Sequence, residues 1–275
     1  MPTAIKSVKQ SFVSSPEILE LMETFRRMVN DCIRLGLQND ASTMKRLSKL
    51  SYSELVRYDI VSYYKLHAIS KAAGILANRK QSLKRGYPTK APYLAKTVLI
   101  SSYGFKIING ILKVPIGNKN YFDIPLNRYT RRILSDPPVT VRSFTLTDNK
   151  TISICYCKEV KEIECDTIAG VDRNLGNLTV GNEHGVVQYN LSQPVDIVEN
   201  TRSIIRSFKR NDVRIRKWIA GKYGQRRQNR INQLLHHVSK QVVAKAVQEK
   251  TGIAFEKLTH IRRLYQRGNY QGCLP

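Results

Sequence analysis

The chain has 275 residues, with 46 Lys and Arg against 21 Asp and Glu, a formal net charge of +25 and 41% apolar residues. These values exclude a disordered tail and an acidic-ligand scaffold, and at roughly 100–200 residues per domain they predict about two domains, each able to bury a core. No apolar run approaches the ~18 residues of a membrane span, and Met1 to Gln10 is polar and basic without the apolar centre of a signal peptide. The expectation is therefore a soluble cytoplasmic protein with no membrane partner, nucleoid-associated if prokaryotic. So large a positive charge points to a polyanion, since Lys and Arg that neutralise phosphates release counterions and bind regardless of base sequence. Nucleic acid is the expected partner.

Residues 3–12 are β-prone and are a candidate first strand, in which case the helices that come next are an insertion into a β unit. Ser15-Pro16-Glu17 then predicts a helix start, with a hydroxyl cap, proline at the first helical position and an acid where the helix dipole favours it. Ile18, Leu21, Met22, Phe25, Met28, Val29, Cys32 and Ile33 recur every three to four residues, which makes this an amphipathic helix. A shorter helix is predicted from about Thr43 to Leu50. A longer one is predicted from about Ser53 to Asn78, with Val56, Ile60, Tyr63, Tyr64 and Ala68 on one face. Arg79, Lys80, Lys84, Arg85 and Lys90 bracket Gly86, Pro88 and Pro92, which reads as an exposed basic linker.

From about Tyr93 to Val160 the pattern turns to strands. Asn109-Gly110 lies between two β-prone runs, a strong hairpin signal, and Asp148-Asn149 plays the same part between Val139–Thr147 and Thr151–Cys157. Cys155 and Cys157 alternate along the second of these runs. The five cysteines form no C-x-x-C pair, so reduced, packed thiols are expected rather than disulfides or a zinc ribbon.

From about Asp166 an apolar strand ends in Asp172, a second strand comes after a turn, and Glu183-His184-Gly185 leads into a third, Val186 to Asn190. Helices are predicted at about 200–223 and 226–250, the second with Ile231, Leu234, Leu235, Val238, Val242 and Ala246 on one face. Gly252 can end it before a short buried strand, Ile253-Ala254-Phe255, closed by Glu256. Residues 201–250 hold fourteen Lys and Arg and two acids, Asp212 and Glu249. A merely solvated helix face mixes signs and gains from i,i+4 pairs, so this bias predicts phosphate contact. The candidate nucleic-acid-binding residues are Arg79, Lys80, Lys84 and Arg85 of the linker and Arg206, Lys209, Arg210, Arg214, Arg216, Lys217, Lys222, Arg226, Arg227 and Arg230 of the helices. Tyr87 and Tyr93 are candidate base-stacking residues, whereas Tyr63 and Trp218, at helical spacing among apolar neighbours, read as core. His236 and His237 read as structural.

Asp172 and Glu256 carry the chemistry. Carboxylates at the ends of two strands lie side by side if the strands are neighbours in one sheet, and hard oxygen donors suit the divalent cations that serve phosphodiester cleavage. Singly, each has a plainer reading: Asp172 as a hydrogen-bond acceptor in the turn through Asn174, Glu256 as a solvated strand end.

The run Gly170-Val171-Asp172-Arg173-Asn174-Leu175-Gly176-Asn177, the long basic helices, Ile253-Ala254-Phe255-Glu256-Lys257-Leu258 with Ile261-Arg262, and the tail Tyr265-Gln266-Arg267-Gly268-Asn269 resemble the TnpB (OrfB) proteins of insertion-sequence transposons, transposase-associated relatives of type V CRISPR effectors. Residues 166–269 match in motif and residues 1–160 in layout. The resemblance implies an α+β multidomain chain. Its parts are a first strand (1–12), a helical recognition insert with basic linker (13–90), a β-rich wedge domain (91–165) and an RNase H-like, RuvC-type α/β nuclease domain (166–275). It further implies an RNA-guided DNA endonuclease whose partners are DNA and a guide RNA from the transposon end. Asp172 and Glu256 fall on the first two catalytic carboxylates, which would be ligands of a two-Mg²⁺ site. The family continues with a third catalytic aspartate and a four-cysteine zinc ribbon. After Glu256 this sequence has no Asp or Glu, and Cys273 alone cannot replace four thiolates. The expectation is thus a C-terminally truncated member, with no zinc and an incomplete two-metal site. It is expected to cleave weakly or not at all, and the alternative is a non-catalytic nucleic-acid-binding remnant or repressor-like protein.

Overall fold

The computed structural model describes residues 2–117, 119–208 and 213–256, with backbone alone over 214–217. The fold is mixed α and β, and the chain divides into two units, Met1–Lys161 and Glu162–Pro275. Among the described residues no helix is long and apolar enough to cross a membrane.

The first unit runs β1 (Thr3–Ser11), α1 (Pro16–Gln38), α2 (Met44–Ser51), a 3-10 turn (Glu54–Arg57), α3 (Ser62–Lys84), β2 (Val98–Ser101), β3 (Lys106–Ile108), β4 (Ile111–Gly117), β5 (Asn120–Pro125), α4 (Arg128–Leu134), β6 (Val139–Thr147) and β7 (Thr151–Glu159). One sheet has the order β1-β7-β6-β2 and a smaller one the order β3-β4-β5. Since β1 and β2 lie at opposite edges of the same sheet, the helices between them are inserted into a β unit. Local chemistry starts these elements. The Ser15 hydroxyl accepts from the Ile18 N–H at 3.4 Å with proline at the head of α1, and Thr43 caps α2 in the same way. Asn109 (φ 52°) and Gly110 (φ 73°) both adopt the positive φ that a two-residue hairpin turn requires between β3 and β4.

A single apolar core joins both sheets to α1, α2 and α3. Phe25, Met22, Met28 and Ile18 of α1 meet Tyr64, Ile69 and Ala72 of α3, Leu99, Phe144 and Ile154 of the larger sheet, and Leu112 and Ile124 of the smaller. Helices α1 and α3 approach closely at Gly36, where a Cβ would stand 2.4 Å from Leu76 Cδ1 and 2.8 Å from the Ala41 carbonyl oxygen. Two buried polar side chains tie elements together. The Tyr64 hydroxyl donates to the Pro115 carbonyl at 2.8 Å, tying α3 to β4. Gln10 donates to the Pro125 carbonyl at 2.9 Å and accepts from the Asn127 N–H at 3.0 Å, tying β1 to the end of β5.

Two predicted boundaries move. The expected helix from Ser53 is interrupted, because the chain forms the 3-10 turn and an extended stretch before restarting at Ser62, and Val56 is 63% exposed instead of packed. The expected basic linker begins later. Arg79, Lys80 and Lys84 belong to the last turns of α3, whose end is set by Gly86 at φ 80°, with the Tyr87 N–H bonded to the Ser82 carbonyl and the Gly86 N–H to that of Leu83. The segment beyond α3 is held to α1 by Asn30, whose side chain accepts from the Leu94 N–H at 2.7 Å and donates to its carbonyl at 3.1 Å.

The second unit runs β8 (Thr167–Arg173), β9 (Asn177–Asn182), β10 (Gly185–Asn190), α5 (Ser192–Ser207), α6 (Val213–Gln248) and β11 (Thr251–Phe255), in one sheet of order β10-β9-β8-β11. The first three strands form an antiparallel meander, and β11 returns parallel to β8 after the helices. Ala169 and Val171 are buried on the face that meets α6, whose Val242 is buried and whose Ile231, Leu234, Leu235, Val238 and Ala246 are half-buried. That apolar stripe is the predicted one. The predicted division between the helices at residues 224–225 is not observed: α5 ends at Ser207 and α6 runs unbroken through Gly221 and Gly224. An interior glycine costs a helix only about 1 kcal/mol, which a helix of this length absorbs.

Two stability measurements check the first unit. Tyr64→Phe strips the hydroxyl from a buried carbonyl and is expected to lower the unfolding free energy by about 1–3 kcal/mol in urea titration. His67 Nε2 accepts from the Ser102 N–H at 2.9 Å, and burial holds its pKa below the ordinary value of 6.5. A depressed histidine contributes stability that is present above the unfolded pKa and is lost as pH falls through the folded one. The melting temperature is therefore expected to fall on acidification below pH ~6.5, and less so in His67→Gln, which keeps an acceptor for Ser102 without titrating.

Candidate functional site

Strand β8 alternates, so Ala169 and Val171 face the helices while Ile168, Gly170 and Asp172 face the other way. The parallel register pairs Thr251 with Thr167 and ends at Phe255 with Val171; Asp172 is the next residue of β8, and Glu256 is the first residue past the end of β11. Neighbouring strands lie about 4.8 Å apart, so both acids stand at the C-terminal ends of adjacent parallel strands, Asp172 on β8 and Glu256 one residue beyond β11. Both are exposed. Asn174 Nδ2 donates to Asp172 Oδ2 at 3.1 Å and also approaches Asn177 Oδ1 at 3.3 Å, which fixes the turn between β8 and β9 around the acid. The turn hydrogen bond expected at Asp172 is thus present.

The sheet face that carries Asp172 is low. Its neighbours are Gly170, Thr179 opposite Asp172, Gly181 opposite Gly170, and Gly252 and Ala254 on β11. Among the described residues the positions next to Asp172 on this face are thus small, with the larger Ile168 and Val186 farther along the strands. The donor set suits a hard divalent cation, with two carboxylates supplying part of an oxygen shell that water completes. Among the described residues no group of three or more His, Cys, Asp or Glu comes together to hold a metal.

The basic candidates fall in two places. In the first unit Arg79 and Lys80 lie on α3, Lys80 paired with Asp40 at 3.3 Å, while Lys84 ends the helix and Arg85 caps it. In the second unit Arg206 is exposed near the end of α5. Lys222, Arg226 and Arg230 are exposed along α6, and Arg227 is half-buried. Arg214, Arg216 and Lys217 stand on α6 by backbone, with side chains outside the described residues. Lys209 and Arg210 lie outside them altogether, as do the tail motif 265–269 and Cys273. Helix α6 contains nine Lys and Arg and no Asp or Glu in its 36 residues. Among the described residues the single ion pair of its cations is Lys245 with Glu249, at 3.7 Å. The first unit differs, with Arg26 and Arg27 on Glu23, Arg57 on Asp31 and Lys113 on Asp123.

The aromatic expectations divide. Tyr63 packs against Tyr64 with ring centroids 4.9 Å apart, as a core residue does, and Tyr87 and Tyr93 are exposed on the segment after α3. Trp218 is not core. It is 66% exposed on α6, whereas its neighbours Ile219, Ala220 and Tyr223 are half-buried. His236 and His237 are exposed as well, on the flank of that stripe. Sequence reading missed Trp218 as a surface feature. The signal was present in the cations at Lys222 and Arg226, four and eight residues on, which mark the solvated side of the helix. Cys155 and Cys157 are half-buried on β7, as strand packing requires.

No family model matches the chain, and no curated protein sequence matches it.

Two adjacent carboxylates predict weak, specific binding of one divalent ion. Titration of the full chain with Mn²⁺, read by paramagnetic resonance, is expected to give a dissociation constant on the order of 10⁻³ M. Asp172→Ala or Glu256→Ala is expected to weaken it about tenfold or more.

Proposed function

We propose that this chain is a nucleic-acid-binding protein whose second unit carries a divalent-metal nuclease centre on Asp172 and Glu256, in the manner of the RNA-guided endonucleases of the TnpB type that its motifs resemble. The observation that carries the reading is the parallel pairing of β11 with β8, which brings the ends of the two strands that precede Glu256 and carry Asp172 to the same edge of the sheet. An antiparallel meander of three strands, a helical crossover and a fourth strand parallel to the first is also the order that an RNase H-like domain needs. The N-terminal sheet with inserted helices is compatible with a wedge domain and recognition insert.

Each residue has a distinct task in this proposal. Asp172 and Glu256 hold the cation, and Asn174 fixes the Asp172 carboxylate by its hydrogen bond. Gly170, Gly252 and Ala254 keep the surface next to the acids low for a phosphodiester backbone. Lys222, Arg226 and Arg230 supply phosphate contacts along α6. A bound Mg²⁺ supplies activation of the attacking water and neutralises charge on the scissile phosphate. The partners are DNA and an RNA that pairs with it.

A second reading is binding without cleavage, and the count of acids favours it. Two carboxylates hold one cation more readily than the two cations of a full phosphodiesterase site. One experiment separates the readings: incubation of the full chain, with RNA from its own locus, on matched DNA in Mg²⁺, beside Asp172→Ala. Slow cleavage that Asp172→Ala abolishes supports the nuclease; RNA bound without cleavage supports the binding protein. In either case, joint replacement of Lys222, Arg226 and Arg230 by Ala is expected to flatten the slope of log K against log salt by about 2–3. Filter binding over a salt series measures it, and an unchanged slope removes α6 from the interface.

A further inference from the structure

Trp218 is the only tryptophan of the chain and leaves 66% of its surface in solvent. An indole is among the largest apolar surfaces a side chain can offer, and an isolated one held in water on a charged helix is a surface ready for a partner. Its setting indicates which partner. Lys222, one turn on, places Nζ 5.1 Å from the ring centroid, within cation–π range, so the ring is held by a cation. Gly221 and Gly224 bring no side chain to the neighbouring turns, and a Cβ at either would meet nothing within 4 Å. Space beside the indole therefore stays open on the C-terminal side.

Trp218, Lys222, Arg226 and Arg230 succeed one another at four-residue intervals, all four exposed. At 1.5 Å of rise per residue the steps are about 6 Å, on the scale of successive phosphates along a nucleic-acid backbone. No acid interrupts the row, since α6 has none. A single aromatic platform at the head of a file of cations is complementary to one unpaired base followed by its phosphates. A duplex keeps its base faces stacked and offers only its backbone, which would engage the cations and leave the indole unused.

We infer that Trp218 is a base-stacking platform for single-stranded nucleic acid, with Lys222, Arg226 and Arg230 taking the phosphates next to the stacked base. This rests on the nucleic-acid reading above and adds to it the form of strand that α6 receives and the residue that selects it.

Because Trp218 is the only tryptophan, indole fluorescence of the full chain reports this site alone. The probes are a short oligothymidylate strand and the same strand annealed to its complement, each also carrying a terminal dye so that anisotropy reads binding independently. The single strand is expected to quench the indole on binding and the duplex to leave it unchanged. Trp218→Ala is expected to weaken single-strand binding roughly 5- to 100-fold, with duplex binding unaltered, and Trp218→Phe to retain most of the affinity. Single-strand binding without quenching and equal in Trp218→Ala overturns the platform while leaving nucleic-acid binding intact. Equal quenching by duplex overturns the selection of single strands. Quenching that tracks protein concentration without any strand assigns the indole to a second copy of the chain and overturns the proposal. No anisotropy change with either probe overturns the nucleic-acid reading itself.

Discussion

Everything specific about the second unit depends on the parallel hydrogen bonding of β11 to β8. Parallel strands cannot be joined by a tight turn, so the chain must leave the sheet and return to the starting end before pairing. Helices α5 and α6 make that journey, which is why a long helix stands between two short strands. The same parallelism brings the C-terminal ends of β8 and β11 to one edge of the unit. Asp172 and the residue that follows β11, Glu256, far apart in sequence, are thereby brought to the same end of the sheet. An antiparallel return would have put Glu256 beside Thr167 and separated the acids by the length of the strand.

Charge is distributed according to a different logic in each unit. In the first, cations are tied locally to acids, as with Glu23 beneath Arg26 and Arg27 and Asp31 beneath Arg57 and Tyr58. Such exposed pairs add little to stability, but they leave a surface of mixed sign. Along α6 the cations stand in rows without acids, so they repel one another by amounts comparable to what an i,i+4 pair would gain. The helix is held instead by its apolar stripe against the sheet. A polyanion laid along the outer side relieves the repulsion, and binding and helix stability are then coupled.

Much of this was legible in the sequence where a local chemical rule had one solution. Ser15-Pro16 starts a helix because the hydroxyl satisfies an end N–H and proline has none to satisfy, and Asn109-Gly110 turns a hairpin because both residues accept positive φ. Asp172 and Glu256 were legible as strand ends, and their adjacency came once the strands between them were ordered. The illegible parts are those where two local rules compete. Arg79 and Lys80 fit a linker and a helix surface equally, and Gly86, a few residues later, decided where α3 ends. The expected break at 224–225 is one that α6 overrides, and Trp218 read as core because it lies at helical spacing among apolar neighbours. The exposed side at Trp218 is the one that Lys222 and Arg226 share at four-residue spacing. The short helix α4 was missed because its whole signal is one cap, the Asn127 side chain accepting from the Thr130 N–H at 2.8 Å.

The insertion of α1–α3 between two edges of one sheet also imposes an order on assembly. Strand β1 is made first, yet its partner is β7, whose Thr151–Glu159 pairs with Ser11–Thr3 in reverse. During synthesis at about 5–20 residues per second, β1 therefore waits several seconds for its partner to be made. The helices have mainly local contacts and can associate in that interval. Lys6 and Lys9, exposed on β1, keep the waiting strand charged and discourage its pairing with another nascent chain. The N-terminal strand thus closes the unit last, and a chain released before residue 159 would expose an unpaired β edge beside a formed helical layer.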